Sequence, residues 1–334
     1  MDWVSWLALI IILCFASYPG KVRKLESKVR NIERKQKGEN TMFKGIFTPM
    51  ITIFNDDGTI DTENQGILTE KLISDGIDGI LALGSVGEFF NLSLEEKKDY
   101  IKFISGVVHG RTNLVVGTGS NDIKDVIELN EYSKKCGADA VLVITPYFFN
   151  LNEEYVHEYY ADIAQNTDLP IMLYNFPDRT GINLSPDFVL RLVTEFENIV
   201  GIKDTTDSIS NVRGYVQKVR PHRKNFSIFS GFDEYLIPNL NCGGSGIIGG
   251  LTNVKAKFFI DTYRAFLNRD FNKVLSCQKK INELMELYNL VDPFIVGIKE
   301  AVKISLSLDM NVSLKNYDIG ITKKIEQKIE KIIL

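Results

Sequence analysis

The sequence predicts an α/β protein whose main part is a closed (β/α)8 barrel, a TIM barrel. From residue 43 onward, short β-branched or apolar runs alternate with amphipathic helical stretches. This alternation implies parallel strands joined by right-handed crossovers. Eight such units over roughly 225 residues suit a closed barrel. The first run lacks the glycine fingerprint that the rival fold, a doubly wound open sheet, would carry.

Each predicted unit pairs one strand with the helix that follows it. The strands are 45–54, 79–85, 114–119, 140–147, 170–175, 200–205, 226–232 and 245–250. The helices are 63–75, 94–108, 121–136, 153–166, 185–196, 208–219, 233–241 and 254–268. From about residue 270 onward the pattern predicts additional helices outside the barrel. We therefore expect one main domain over 42–334, preceded by a separate segment over 1–41.

The segment 1–41 predicts a membrane anchor. Residues 3–18 carry no charge, and sixteen helical residues span about 24 Å against a hydrocarbon core of roughly 30 Å. Basic residues follow this run, which by the positive-inside rule predicts a cytoplasmic barrel tethered by a short apolar helix and a basic linker helix. The alternative is a misassigned start, because Met42 opens a segment that looks like a natural beginning.

Composition restricts the class of protein. Hydrophobic residues make up 44% and charged residues 25%, as in ordinary globular proteins, which excludes a wholly disordered chain. Residues 1–41 hold eight basic and four acidic side chains, and the remainder holds 31 basic and 39 acidic ones. An acidic body argues against nucleic acid as a partner. The four cysteines are scattered, without a paired CxxC, so neither disulfides nor a zinc site is predicted.

Polar side chains gather where the predicted strands end, which is where barrel enzymes carry their chemistry. Lys203 ends a buried apolar strand, and desolvation there would free its amine as a nucleophile. The alternative is a salt bridge to the adjacent Asp204. Tyr174 ends the preceding strand, and its phenol could transfer a proton to and from an imine intermediate. The alternative for Tyr174 is a core tyrosine with a satisfied hydroxyl.

Three further segments are candidates for substrate binding. The turn from Gly84 through Ser85 and Val86 could hold a carboxylate with its backbone N–H groups and the serine hydroxyl, or be an ordinary strand–helix turn. Arg179 follows Tyr174 and could bind an acid group with two hydrogen bonds, or be a solvated surface residue. The stretch GGSGIIGG, which includes Ile248 and Gly249, lacks a nearby basic residue. It predicts close packing around a small ligand.

Neither a metal nor a cofactor is predicted. The three histidines, His109, His157 and His222, do not lie at strand ends, and no HxH or HExxH spacing occurs. No phosphate-binding loop or dinucleotide fingerprint occurs either.

Together these motifs resemble the dihydrodipicolinate synthase / N-acetylneuraminate lyase family over residues 43–315. Four stretches carry the resemblance: GSVGEFFNLSLEEK (84–97), YNFPDRTG (174–181), GIKDT (201–205) and GGSGIIGG (243–250). The resemblance implies a (β/α)8 barrel that forms homotetramers or homodimers and a Schiff base between its lysine and pyruvate or another 2-oxo acid. It implies that Lys203 is the Schiff-base lysine and Tyr174 the proton relay. Ser85 and the Val86 amide match the carboxylate site.

Within the family, YNFP, GIKDTTDSI and VDPFIVGIKEAV are most similar to the 2-keto-3-deoxy sugar-acid aldolases. That likeness predicts cleavage to pyruvate and an aldehyde. The enzymatic alternative is 4-hydroxy-tetrahydrodipicolinate synthase, which condenses pyruvate with aspartate semialdehyde. Arg179 matches the synthase arginine that binds the aldehyde substrate's carboxylate. Phe148 stands where the synthases carry a relay tyrosine shared across a dimer interface, and Val86 replaces a threonine. Those departures leave a third alternative, a catalytically silent, membrane-tethered ligand-binding protein.

Overall fold

The computed structural model describes residues 42–334, and within them the predicted barrel is confirmed. Its strands pair in parallel in sequence order, and the last pairs with the first. The strands are β1 (Gly45–Pro49), β2 (Gly79–Ala82), β3 (Asn113–Gly117), β4 (Ala140–Ile144), β5 (Ile171–Asn175), β6 (Ile199–Asp204), β7 (Ser227–Ser230) and β8 (Gly246–Ile248).

Helices follow each strand and form the outer layer. They are α1 (Thr62–Asp75), α2 (Leu94–Val108), α3 (Ile123–Cys136), α4 (Glu153–Gln165), the short α5 (Pro177–Thr180), α6 (Pro186–Glu195), α7 (Ile209–Lys218), α8 (Leu236–Asn241) and α9 (Thr252–Leu267). Beyond the barrel come α10 (Phe271–Leu284), α11 (Phe294–Leu306) and α12 (Lys323–Ile333). The prediction of additional C-terminal helices is therefore also confirmed.

Local sequence explains where several helices begin and end. Asp61 caps α1 by accepting from the Asn64 N–H, and Gly76 ends α1 with φ +88, a left-handed conformation that glycine adopts without strain. Ser93 and Glu96 form a capping box at the start of α2. These side chains satisfy N–H groups that lack a partner inside the helix, and so they fix the ends of the loops that leave the barrel.

Seven of the eight predicted strands extend beyond the C-terminal ends of the observed ones. The first apolar run extends to Phe54, but β1 ends at Pro49. Residues 50–54 are nonetheless buried, as part of the loop that enters α1. Apolar composition reports burial, whereas strand pairing ends where the barrel wall ends. The predicted helix 233–241 is likewise a 3-10 turn over Asp233–Tyr235 followed by α8.

The register between β5 and β6 brings candidate site residues side by side. Tyr174 on β5 pairs with Lys203 on β6, and Asn175 pairs with Asp204. Successive residues of a strand point to opposite faces, so the first pair shares one face of the wall and the second pair shares the other.

The predicted N-terminal membrane helix, residues 3–18, lies outside the described residues. Within 42–334, none of the helices is both long and apolar enough to cross a bilayer.

Candidate active site

Three of the predicted site residues form one hydrogen-bonded chain. Lys203 Nζ donates to Tyr174 Oη at 3.2 Å, and Tyr174 Oη lies 3.3 Å from Ser85 Oγ. The two hydroxyls come from β5 and from the turn after β2, 89 positions apart in sequence. The fold therefore brings a buried amine, a phenol and a serine hydroxyl into a continuous path for a proton.

Lys203 is held in a buried setting beside an aromatic ring. Its side chain is 4% exposed, and Nζ lies 4.3 Å from the centroid of the Tyr174 ring. A Cβ at Gly231 would lie 3.2 Å from Lys203 Cε, so the glycine at the end of β7 leaves room for the lysine.

Asp204 does not act as the partner of Lys203. Its carboxylate accepts from Asn175 Nδ2 and from Thr206 Oγ1, both at 2.7 Å. Burial raises the pKa of Asp204 to about 6, and these hydrogen bonds offset part of that shift. The salt bridge considered from sequence is therefore absent among the described residues, because neighbouring strand positions face opposite ways. Asp204 instead holds the ends of β5 and β6 together.

The turn after β2 is tight and presents unused donors. Glu88 N–H donates to the Ser85 carbonyl at 3.1 Å. A Cβ at Gly84 would lie 3.1 Å from a Leu81 methyl carbon. Within residues 42–334, the backbone N–H groups of Ser85 and Val86 donate to no other residue. Together with the Ser85 hydroxyl, these N–H groups can bind an anionic group by donating hydrogen bonds to it.

Arg179 lies at the rim rather than in the centre. Its side chain is exposed on α5, and the guanidinium carbon lies 5.9 Å from the centroid of the Phe176 ring. Phe176 in turn stacks on Tyr174 with centroids 5.8 Å apart. Arg179 therefore packs on Phe176, which separates it from Tyr174. This position suits contact with the end of a substrate that is remote from Lys203.

The glycine-rich stretch at β8 packs closely against side chains of neighbouring elements. A Cβ at Gly249 would lie 2.2 Å from Asp233 Oδ1, and one at Gly250 would lie 2.5 Å from Tyr288 Oη. Ile248 is fully buried in the barrel core. The stretch therefore brings β8 against an acid and a phenol that sequence reasoning missed.

Asp233 and Tyr288 form a hydrogen-bonded pair that the sequence did not predict. Tyr288 Oη donates to Asp233 Oδ2 at 2.6 Å, and the Leu251 N–H donates to Oδ1 at 3.2 Å. Burial raises the pKa of Asp233 to about 7, while the nearby positive charge of Lys203 lowers it. The available signal was an acid three residues after Ser230, at the end of an apolar strand. Its partner in the C-terminal extension left no local signal.

A second missed group is Thr205, which follows Asp204. Its hydroxyl is buried and has no hydrogen-bond partner among the described residues. A Cβ at Gly231 would lie 1.9 Å from this hydroxyl and 3.2 Å from Lys203 Cε. Thr205 therefore places an unpaired hydroxyl across a glycine from the lysine.

The closed barrel, with polar side chains gathered at the C-terminal ends of its strands, has the architecture of a barrel enzyme. The sequence model of the Dihydrodipicolinate synthetase family matches residues 42–333. The chain belongs to this family of lyases, and it is therefore an enzyme and not the catalytically silent ligand-binding protein considered as the third alternative.

Relatives from two branches of the family are similar to this chain. YagE of Escherichia coli K12, provisionally named a 2-dehydro-3-deoxy-D-gluconate aldolase, is 34% identical over 79% of this chain and 87% of its own length. YjhH of the same strain, provisionally named a 2-dehydro-3-deoxy-D-pentonate aldolase, is 34% identical over 78% and 87%. A 4-hydroxy-tetrahydrodipicolinate synthase of Thermoanaerobacter sp. X514 is 35% identical over 73% and 80%.

A solved structure gives the same result for the fold. The crystal structure of YagE, which was determined in complex with pyruvate, matches with a TM-score of 0.84 and 31% identity. The match covers 87% of this chain and 97% of YagE.

Proposed function

We propose that this enzyme is a metal-independent Schiff-base aldolase that cleaves a 2-keto-3-deoxy sugar acid to pyruvate and an aldehyde. The observation that carries the proposal is the chain from Lys203 Nζ through Tyr174 Oη to Ser85 Oγ. An amine attacks a 2-oxo group, and loss of water gives a protonated imine. The C3–C4 bond then breaks, with its electron pair moving into the imine to give an enamine. Protonation at C3 and hydrolysis release pyruvate.

Tyr174 is the proton carrier in this scheme. Its hydroxyl lies within hydrogen-bond reach of the Lys203 amine, so it can deliver and remove the protons of imine formation and hydrolysis. During cleavage it would accept the proton of the C4 hydroxyl. The Ser85 hydroxyl would pass protons to and from Tyr174 and, with the Val86 N–H and the Gly84 turn, orient the substrate carboxylate.

The preference for a sugar acid rests on polar groups beyond the lysine. Thr205 offers an unpaired buried hydroxyl, and Asp233 offers a buried carboxyl against Gly249. Hydroxyl-rich substrates need such donors and acceptors, because a buried polar group without a partner costs free energy. We expect Thr205 and Asp233 to hydrogen-bond hydroxyl groups of the aldehyde half, with Ile248 and Gly249 forming the floor of the pocket.

The synthase reaction is the second candidate, and the exposed Arg179 favours it. A free guanidinium at the rim suits the carboxylate of aspartate semialdehyde. A panel that offers pyruvate with neutral sugar aldehydes or with aspartate semialdehyde, analysed by mass spectrometry, separates the two. We expect carbon–carbon bond formation with the sugar aldehydes. If pyruvate condenses with aspartate semialdehyde and not with the sugar aldehydes, the enzyme is a synthase.

Arg179→Ala tests what the rim arginine recognises. Loss of a charge-assisted pair costs about 1.5–3 kcal/mol, so KM for an acidic aldehyde should rise by about 10- to 150-fold. Trapping of pyruvate on the enzyme should be unchanged, since Arg179 lies apart from Lys203. The matched control is Arg269→Ala, another surface arginine outside this site. An equal loss with neutral and acidic aldehydes would show that Arg179 has a structural role only.

We expect a homo-oligomer, a tetramer or a dimer. Phe148 and Phe149 follow β4 with 87% and 70% of their surface exposed, and an exposed aromatic pair of this kind is typical of an interface. Phe148 also has φ +87, a conformation that costs energy for a bulky residue. A phenyl ring cannot transfer a proton, so the relay proposed here ends at Tyr174 and Ser85.

Residues 1–41 are expected to decide location and not catalysis. The family match begins at residue 42, and every proposed site residue lies beyond it. A chain that begins at Met42 should keep full kcat/KM and stay in the supernatant after high-speed centrifugation. The full chain should sediment with membranes, with its barrel on the cytoplasmic face. Loss of activity on truncation would contradict this division, and native protein without peptides before Met42 would support a misassigned start.

A further inference from the structure

The turn after β2 is fastened from its outer side by a buried ion pair. Glu88 closes the turn with φ +56, and its Oε1 lies 2.5 Å from Lys299 Nζ on α11. Both side chains are completely excluded from solvent. The contact joins the turn to a helix 211 positions later in the sequence. None of the steps proposed above uses this pair.

Further contacts hold both members of the pair in place. Glu88 Oε2 accepts from Asn91 Nδ2 at 3.0 Å and from the Lys315 N–H at 3.2 Å. Lys299 Nζ also donates to the Ser313 carbonyl at 2.8 Å and lies 4.8 Å from the centroid of the Phe54 ring. An ammonium has three N–H donors. Two of them are directed to Glu88 and the Ser313 carbonyl, and the Phe54 ring lies beside the same nitrogen. Lys299 is therefore suited to holding the turn and not to binding a ligand.

The pair lies close to the carboxylate-binding donors. Glu88 is three residues from Ser85, and its N–H donates to the Ser85 carbonyl. On the other side of the turn, Thr52 Oγ1 donates to the Gly87 carbonyl at 2.7 Å. A Cβ at Gly87 would lie 2.8 Å from the Met50 carbonyl oxygen. The turn is thus clamped between the loop after β1 and Glu88, and this clamp sets the direction of its free N–H groups.

The pair also balances charge beside the turn, because Lys299 offsets the negative charge of Glu88. A buried carboxylate without a counter-charge would repel a second carboxylate bound a few residues away, since Coulomb interactions are strong where water is excluded. Lys299 supplies that counter-charge from the C-terminal extension.

We propose that Glu88 and Lys299 are positioning residues for the turn Gly84–Val86, and that their charge balance lets the turn accept a substrate carboxylate. The inference rests on the proposed function, because it assumes that the pyruvate carboxylate binds at Ser85 and Val86. It assigns a role in substrate recognition to the helices outside the barrel.

The test uses Lys299→Met, which leaves the charge of Glu88 unpaired beside the turn. Full-length protein is incubated with pyruvate or with acetaldehyde, a carbonyl compound without a carboxylate, and reduced with cyanoborohydride. Label is measured on the Lys203 peptide. We expect the half-saturating pyruvate concentration to rise about tenfold or more, where tenfold is about 1.4 kcal/mol. Labelling by acetaldehyde should change by less than about twofold, which a general structural defect would not allow.

Two further variants complete the design. Lys303→Met is the matched control, since Lys303 lies one turn along α11 and is partly exposed, and it should behave as the wild type. The double variant Glu88→Gln/Lys299→Met removes both charges, and replacing a buried ion pair by neutral groups is commonly tolerated. It should recover most of the preference for pyruvate, and it carries the test if Lys299→Met does not fold.

The outcomes are distinguishable. The inference is wrong if Lys299→Met folds and its half-saturating pyruvate concentration is unchanged, or if labelling by pyruvate and by acetaldehyde falls equally. It is also wrong if the half-saturating pyruvate concentration of the double variant stays tenfold or more above that of the wild type. A wild-type enzyme that pyruvate does not label on Lys203 would reject the proposed function itself.

Discussion

Replacement of Lys203 by alanine is expected to lower kcat/KM by about 10⁴-fold or more, because the covalent intermediate can no longer form. Lys203 is nearly fully buried and donates to Tyr174, and the described residues place no second amine at the end of the Ser85–Tyr174 chain. Steady-state cleavage assays measure the loss, and circular dichroism shows whether the barrel remains folded.

The control for this variant is Lys97→Ala. Lys97 is also largely buried, and burial lowers its pKa, so it is the competing candidate for a reactive amine. It lies on α2, however, with Nζ 5.7 Å from the centroid of the Phe89 ring, and no hydroxyl within residues 42–334 hydrogen-bonds to it. Its replacement should leave turnover within a few-fold of the wild type. Activity that survives in Lys203→Ala and disappears in Lys97→Ala would contradict the assignment.

Tyr174→Phe is the second variant with a large expected effect. It removes the hydroxyl that links Lys203 Nζ to Ser85 Oγ and keeps the ring that packs on Phe176. Loss of a positioned proton carrier lowers kcat by about 10²- to 10⁴-fold. Pyruvate should still be trapped on Lys203 at long incubation times, because the amine and the carboxylate-binding turn remain.

Tyr147→Phe serves as the matched control for the relay. Tyr147 is a partly buried tyrosine that follows β4, and burial raises the pKa of its phenol. Its ring packs edge-on against Phe89, and the proposed scheme gives its hydroxyl no proton to carry. If Tyr174→Phe keeps a kcat within about fivefold of the wild type while the Tyr147 variant loses activity, the relay is assigned to the wrong tyrosine.

The centre of the site was predictable because its members end consecutive strands. In a parallel barrel those ends converge on one face, so the positions of Tyr174 and Lys203 in the sequence already imply that they are neighbours. The Ser85 turn follows the same rule for β2. Hydrogen bonds join these three residues in the structure, and their chemical roles stay a prediction.

The support for the site was not predictable in the same way. Tyr288 reaches Asp233 from a position 55 residues later, and Lys299 reaches Glu88 from 211 residues later. Both contacts depend on how the C-terminal helices pack against the barrel, which no local pattern encodes. The left-handed backbone of Glu88 is equally a result of tertiary contacts, since this conformation is unfavourable for a residue with a Cβ.

Peptide mapping after reduction with borohydride in the presence of pyruvate shows whether Lys203 forms the Schiff base. We expect one label per chain, on the peptide that contains Lys203, and no label in Lys203→Ala. Treatment with EDTA should leave the labelling unchanged. Label on Lys97 or another lysine in place of Lys203, or undiminished label in Lys203→Ala, would contradict the Schiff-base mechanism.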